Sequence, residues 1–317
     1  MTGIVYKSTG SWYLVKGEAD GLFIKCRIKG KFRIQGIKST NPIAVGDRVD
    51  YVLESKTEEG SGVINKIHER DNYIIRKSVN LSKQTHIIAS NIDLVFLIIT
   101  IDNPPTTTSF IDRFLVTAEA YSIKTVLLFN KIDTYDEETL FEVKYLSALY
   151  QFIGYDCIEV SAKKGTNIKA VKALMKDKVC MFAGHSGVGK STLVNAIEPS
   201  LDLKTQLISE QHMQGQHTTT FAEMYDLSFS SRIIDTPGIK GFGIVDMGKE
   251  EIGDYFPEFF KLKAGCKFNN CLHDKEPKCA VKEALDKDQI AFSRYKSYLQ
   301  LLEGEEEHYR TDNWTKE

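Results

Sequence analysis

The chain reads as a multidomain protein: an N-terminal all-β barrel, a central α/β domain, and a small C-terminal helical domain organised by metal ligands. Three observations predict this. Short β-runs with turn punctuation recur every ten to fifteen residues up to about Arg76, with little helical periodicity. From Val179 a short apolar run feeds into the glycine-rich GHSGVGKS, and an amphipathic segment begins at Thr192. Near the C-terminus three cysteines and one histidine fall within fourteen residues. The expected boundaries are 1–76, 77–250 and 251–317. At 317 residues more than one core is expected. The net charge of −2 gives no global basic footprint, so contact with nucleic acid would have to come from local patches. No apolar run approaches the ~20 residues of a membrane span. The opening MTGIVYKSTG lacks the apolar centre of a signal peptide. Cys26, Cys157 and Cys180 are scattered in apolar surroundings as inert core residues, and a cytoplasmic location is expected.

In the first domain, five strands of this length suit an OB-fold. Lys25, Arg27 and Lys29 alternate with Ile24, Cys26 and Ile28, and Lys31 and Arg33 follow around Phe32. Period two puts the cations of each strand on one face, and no acidic residue interrupts Gly21 to Thr40. On a generic β-domain such a face is merely solvated; on an OB-like barrel it points to nucleic acid. Trp12, Tyr13 and Phe32 are either stacking platforms or core. Lys77 to Ser90 reads as a polar connector.

The central domain starts with Asn91 to Ile101, NIDLVFLIITI, a run suited to a parallel strand buried on both faces. A loop over Asn103–Ser109, a helix from about Phe110 to Tyr121, and a strand over Thr125–Phe129 follow. That strand ends in Asn130-Lys131-Ile132-Asp133, which fits N-K-x-D. The edge of guanine explains the pattern. A carboxylate at Asp133 accepts from both N1–H and the exocyclic amine, and adenine offers neither donor there. Asn130 would bond the base and brace the loop, with the Lys131 stem over the ring. At the C-terminal end of a buried strand, the position is one where α/β sheets bind ligands. A helix over Glu137–Phe152 leads to a strand over Asp156–Val160 ending in SAKKG, where Ser161, Ala162 and Lys163 would present backbone N–H groups to guanine O6. One more helix spans Asn167 to Met175.

The strand over Val179–Ala183 then enters G-x-x-x-x-G-K-[ST], the phosphate loop. Gly184, His185, Ser186, Gly187, Val188 and Gly189 form the turn. Its glycines let backbone N–H groups crowd around phosphate oxygens. Lys190 would reach the β- and γ-phosphates, the Ser191 hydroxyl would ligate Mg²⁺, and Thr192 opens the helix whose dipole favours anions. Asp202 to Phe221 is polar and ends in QHTTT, a candidate first switch in which Thr218 and Thr219 could complete Mg²⁺ coordination. The strand SRIID delivers DTPG: Asp235 would hold Mg²⁺ through its water shell, and the Gly238 N–H would contact the γ-phosphate. Many GTPases follow this glycine with a water-orienting glutamine; here stands Ile239, which cannot do that. His217, beside the switch threonines, is the candidate substitute, the alternative being a merely exposed loop histidine. All five GTPase elements are present, with the two base-side ones placed before the phosphate loop. The order is circularly permuted, so the second switch leads straight into the C-terminal segment.

That segment contains Cys266, Cys271, His273 and Cys279 as C-x₄-C-x-H-x₅-C, a full tetrahedral set for a closed structural Zn²⁺ site. The metal would supply folding energy to a segment too small to bury a core. Val281 to Leu302 reads as one helix, followed by an acidic tail.

A β-barrel, a permuted GTPase and this finger together resemble the RsgA (YjeQ) family of circularly permuted bacterial GTPases. The resemblance is carried by GHSGVGKST, QHTTT, DTPG, NKID, SAKKG and the zinc spacing, and it covers nearly the whole chain. It implies a late-acting assembly factor that binds the small (30S) ribosomal subunit and hydrolyses GTP when stimulated by it, monomeric when free. It also implies that the OB-fold and the zinc domain touch 16S rRNA, and that the family's proposed catalytic histidine maps onto His217. Where the family usually has arginine before that histidine, this chain has Gln216. Two other classes compete: a GTP-driven switch acting on a protein or membrane, and an RNA-binding module with a vestigial nucleotide fold.

Overall fold

The computed structural model describes residues 1–28, 42–54, 61–77, 85–201, 222–235 and 247–304. The chain forms two compact units, Met1–Thr106 with Thr117–Val245, and Thr107–Val116 with Asp246–Glu317.

In the first unit, strands β1 (Thr2–Ser8), β2 (Tyr13–Gly17), β3 (Phe23–Ile28), β4 (Arg48–Leu53) and β5 (Gly62–Ile67) close a five-stranded barrel. Their order is β1-β2-β3-β5-β4, with β4 returning to β1. Only the β3–β5 pair is parallel among these five. This is the OB-like architecture expected from the spacing of the runs. Alternation does the sorting: Val5, Tyr13, Val15, Cys26, Val49, Tyr51 and Ile64 fill the interior with Ile43. Tyr13 is therefore core, at 1 % exposure, whereas Trp12 is 46 % exposed. Lys25 and Arg27 lie outside around the buried Cys26, as period two requires, and Arg27 pairs with Glu54 at 2.6 Å. Lys29, Lys31, Phe32 and Arg33 lie outside the described residues.

The expected connector 77–90 is not wholly a loop. Strand β7 (Thr85–Ser90) pairs antiparallel with β6 (Tyr73–Lys77). Thr, His and Ser around a short apolar centre disguise the strand in the sequence, but Ile87 and Ala89 are buried. Ser90 also anchors β7 to a buried ion pair. Asp47 accepts from Arg70 Nε and Nη2 at 2.6 Å each, from Ser90 Oγ at 2.6 Å and from the Ala44 N–H at 2.8 Å. Every oxygen of this buried carboxylate is occupied, which is what makes its burial tolerable.

The α/β layer contains β8 (Leu94–Ile99), α1 (Thr108–Ala120), β9 (Thr125–Phe129), α2 (Glu137–Ile153), β10 (Asp156–Glu159), α3 (Ile168–Met175), β11 (Val179–Ala183), α4 (Lys190–Ile197), β12 (Glu223–Asp226) and β13 (Arg232–Asp235). The strands lie in the order β10-β9-β8-β11-β13-β12. All pairs are parallel except β12–β13. Every residue of β8 and β9 is buried, as continuous apolar runs demand when a sheet is covered on both faces. From the middle of the sheet the chain first walks outward through β8, β9 and β10, then restarts at β11 on the other side of β8. The direction reverses between β8 and β11, the place where open α/β sheets form a ligand crevice at their C-terminal edge. Strand β1 of the barrel pairs antiparallel with β12, so barrel and α/β sheet are continuous. Lys7–Glu223 at 2.8 Å, Tyr6–Asp226 at 2.6 Å and Lys16–Asp226 at 2.6 Å reinforce that seam. Burial pushes the Cys26 thiol up to about 11, and those of Cys157 and Cys180 up to about 12, in keeping with inert cysteines.

The second unit contains α5 (Lys249–Ile252), α6 (Pro257–Lys263), α7 (Ala280–Asp286) and α8 (Phe292–Glu303), and the last two replace the single helix expected over 281–302. The break has a local cause. Asp288 takes a left-handed conformation at φ 54°. Its N–H bonds Leu285 O at 3.0 Å, and the Gln289 N–H bonds Ala284 O at 2.9 Å, a Schellman closure with aspartate in the glycine position. Among the described residues no helix is long and apolar enough to cross a membrane.

Candidate active site and metal centre

Those predicted nucleotide residues that the structure describes lie at the C-terminal edge of the parallel strands. The loop after β11 is shaped by Gly184 at φ 149° and Gly189 at φ 93°, both in the region that favours glycine. A Cβ on Gly184 would lie 2.8 Å from Ile98 O, and one on Gly189 only 2.5 Å from Asn130 Nδ2. Glycine is thus required by conformation and by the close approach of the loop after β9. Helix α4 begins at Lys190, two residues earlier than the sequence pattern suggests, so Lys190 and Ser191 occupy its first turn.

Asn130 is 2 % exposed and is the keystone between the two loops. Its Nδ2 donates to Val188 O at 2.8 Å, and its Oδ1 accepts from the Ala162 N–H at 3.2 Å. One side chain thereby fastens N-K-x-D to the phosphate loop and to SAKKG. Asp133 is oriented by Ser161, whose Oγ donates to its carboxylate at 2.5 Å and accepts from the Lys164 N–H at 3.0 Å. Lys131 has left-handed backbone at φ 67°, and its Nζ donates to Asn103 O. Lys190 and Asp235 act on one another. Burial lowers the Lys190 ammonium below its ordinary range while Asp235 raises it. Burial raises the Asp235 carboxyl while Lys190 lowers it. A half-buried lysine and a half-buried carboxylate at the end of β13 therefore flank the phosphate loop, where the charge of an incoming phosphate would favour the ammonium. The Ser191 hydroxyl and Asp235 carboxylate are hard oxygen donors of the kind Mg²⁺ takes. His217, Thr218, Thr219 and Gly238 lie outside the described residues, as do Gln216 and Ile239.

Sequence reasoning missed Tyr135. Its hydroxyl donates to Asn130 O at 2.9 Å and accepts from the Ile101 N–H at 3.0 Å. It is a strut between the base-reading loop and the end of β8. Nothing in the sequence but its place two residues after Asp133 could have pointed to it.

In the second unit, Cys266, Cys271, His273 and Cys279 present ligand atoms all within 4.8 Å of one another. Cys266 Sγ lies 3.9 Å from Cys279 Sγ and 3.6 Å from His273 Nδ1, and His273 Nδ1 lies 3.3 Å from Cys279 Sγ. The edges of a tetrahedral zinc site are about 3.8 Å between sulfurs and about 3.6 Å between sulfur and nitrogen, given ordinary Zn–S and Zn–N bonds. The residues fit such an ion, which the imidazole would hold through Nδ1, the nitrogen that faces the sulfurs. The far side of that ring packs on Gly253, where a Cβ would stand 3.2 Å from Cδ2. Tyr295 Oη donates to His273 O at 2.7 Å, and Tyr298 Oη donates to Leu272 O, so α8 holds the ligand loop. Glu276 receives the Leu272 and Asp274 N–H groups at 2.8 and 3.0 Å. Arg294, on the same helix and 1 % exposed, bonds Glu258 at 2.7 and 3.1 Å and Asp112 at 2.7 Å, with its guanidinium 4.5 Å from the centre of the Phe256 ring.

Comparison with known proteins agrees with this geometry. The RsgA GTPase family model matches residues 67–245, and the RsgA N-terminal domain model matches residues 2–64. The chain belongs to the RsgA GTPase family. Among curated RsgA relatives, the small ribosomal subunit biogenesis GTPase RsgA of Christiangramia forsetii is 71 % identical over 316 residues, covering 100 % of both chains. That of Flavobacterium psychrophilum is 70 % identical over 312 residues, covering 98 % of this chain and 95 % of the relative. Of solved structures, YjeQ from Thermotoga maritima matches with a TM-score of 0.76 and 37 % identity, covering 96 % of this chain and 97 % of the other. YloQ, described as a circularly permuted GTPase, matches with a TM-score of 0.73 and 30 % identity, covering 96 % and 94 %. In this chain the strands that carry N-K-x-D and SAKKG, β9 and β10, precede the phosphate-loop strand β11.

Proposed function

We propose that this chain is a GTP hydrolase that binds the small ribosomal subunit, acts in its late assembly, and converts GTP and water to GDP and phosphate under stimulation by the subunit. The observation that carries the nucleotide reading is the Asn130–Val188 bond, which fastens the guanine-reading loop to the phosphate loop. In this reading Asp133 accepts from guanine N1–H and the exocyclic amine while Ser161 holds its other lone pairs, and Asn130, Lys131 and Ile132 form the wall of the base pocket. Among the backbone N–H groups of SAKKG, that of Ser161 is bonded to Thr166 O at 3.3 Å and that of Ala162 to Asn130 Oδ1 at 3.2 Å, which leaves that of Lys163 to face guanine O6. Those of Gly184, His185, Ser186, Gly187, Val188 and Gly189 wrap the phosphates, and Thr192 continues the helix that points at them. Lys190 holds its charge against the γ-phosphate as negative charge shifts toward the leaving oxygen. Ser191 and Asp235, with Thr219 or its neighbour Thr218, would hold Mg²⁺, which when bound neutralises the β- and γ-oxygens. The Gly238 N–H would steady the γ-phosphate. Since Ile239 cannot orient water, His217 is the residue proposed to do so, and slow turnover by the free protein follows.

Cys266, Cys271, His273 and Cys279 would hold one structural Zn²⁺; four protein ligands leave no open position for catalysis. Small-subunit partnership rests on the names of relatives at 71 % and 70 % identity and on the cationic β3 strand. A cytoplasmic, monomeric protein touching 16S rRNA through the barrel and the zinc domain completes the reading, with domain limits near 1–76, 77–250 and 251–317.

The test is retention on purified small subunits. Retention is expected to be stronger with a non-hydrolysable GTP analogue than with GDP, and to fall steeply between 50 and 200 mM salt as phosphate contacts are screened. Retention indifferent to both nucleotide and salt contradicts the reading.

A further inference from the structure

The outer face of the barrel carries a groove that the nucleotide chemistry does not use. Strand register places Lys7, Leu14 and Lys25 side by side across β1, β2 and β3. Their neighbours Tyr13 and Cys26 point into the core, so the row faces outward. Together with Thr9, Trp12 and Ser61 they line a cavity of about 550 Å³. That is within the range of small-ligand pockets, roughly 300–1,000 Å³. The Trp12 wall is fixed by its turn, since the Thr9 N–H and Oγ1 both donate to Trp12 O, at 2.9 and 3.0 Å. The indole is nevertheless 46 % exposed. Leu14 makes the floor apolar, and a lysine stands on either side of it.

The charges around the groove select its occupant. Lys7 is shared with Glu223 at 2.8 Å. Lys25 has no carboxylate partner among the described residues, and no Asp or Glu occurs between Gly21 and Thr40. A flat apolar ring carried on an anionic backbone matches an exposed indole over an apolar floor beside an unneutralised ammonium. An unstacked base of single-stranded RNA has that chemistry; a base inside a duplex has its faces already covered.

We propose that this groove captures one unpaired RNA base by stacking on Trp12, with Lys25 against the adjoining phosphate. The proposal deepens the reading of the chain as an RNA-contacting assembly factor and rests on it for its physiological source. The chain has two tryptophans, Trp12 and Trp314, so Trp314→Phe leaves Trp12 as the sole indole reporter in the full-length protein. A single-stranded oligoribonucleotide should then quench its fluorescence saturably, while the same sequence in a duplex should not. In the otherwise native chain, Trp12→Ala should weaken oligonucleotide affinity, read by anisotropy, about tenfold, with Trp12→Phe restoring most of the loss. Lys25→Gln should weaken it and reduce the salt slope by about one phosphate contact. GTP turnover without subunits should be unchanged by either. Absence of quenching, or Trp12→Ala affinity within twofold of the parent, overturns the proposal. Quenching by polyglutamate that matches the RNA overturns it in favour of an acidic peptide. Retention on subunits without Trp12 quenching removes the groove alone, whereas quenching without retention removes the ribosomal reading and leaves the groove.

Discussion

Removing the proposed zinc from the C-terminal cluster is expected to unfold the segment between Cys266 and Cys279. The full-length protein should contain about one zinc per chain by elemental analysis. Chelation, or Cys271→Ser, should remove it and open the segment to proteolysis. The size of the effect follows from what else holds these residues. The ligand loop depends on Tyr295 and Tyr298 bonds to the carbonyls of His273 and Leu272, and on Glu276 closing its own turn. Those are single hydrogen bonds, each worth about 1 kcal/mol net, against an apparent ~10–16 kcal/mol for structural zinc in small fingers. GDP affinity should change less than about twofold, because no described nucleotide residue belongs to the second unit. A segment that stays protease-resistant without zinc would show that packing on α8, not metal, holds it.

Asp133→Asn should lower GTP affinity by about 10²–10⁴-fold and raise that for xanthosine triphosphate. The change exchanges one acceptor oxygen for a donor without altering volume. Two charge-assisted hydrogen bonds to the guanine edge are lost, each about 1.5–3 kcal/mol, and the new amide N–H₂ meets the guanine amine donor to donor. Xanthine has a carbonyl in that place and accepts from the amide. Ser161 can still donate to the remaining oxygen, so the loop itself should hold its shape. Calorimetric titration of both nucleotides checks this. Unchanged GTP affinity would mean that Asp133 does not read the base.

Much of the site was legible because its signals are local. N-K-x-D and the phosphate loop each sit directly at the end of a strand whose apolar run is itself obvious, TVLLF and VCMFA. Barrel strands were legible through alternation, and the metal ligands through spacing alone. What stayed hidden depends on partners distant in sequence. Arg294 reads as a surface cation on a helix, and only the fold brings it to Asp112, 182 residues away, and to Glu258. Tyr135 becomes a strut only once Ile101 and Asn130 are neighbours. Strand β7 looked like a connector because its apolar residues are few and its stability comes from pairing with β6 and from the Asp47 cluster. The helix break at Asp288 turned on one residue adopting the left-handed conformation, which aspartate tolerates but does not announce.

The most direct test of the whole reading is multiple-turnover GTP hydrolysis with and without purified small ribosomal subunits, for the parent chain and for Lys190→Ala. The free parent should be slow, the subunit should raise its kcat by at least about tenfold, and Lys190→Ala should lose roughly 10²–10³-fold of the stimulated rate. Turnover that is the same with and without the subunit, or that survives Lys190→Ala undiminished, would contradict the account.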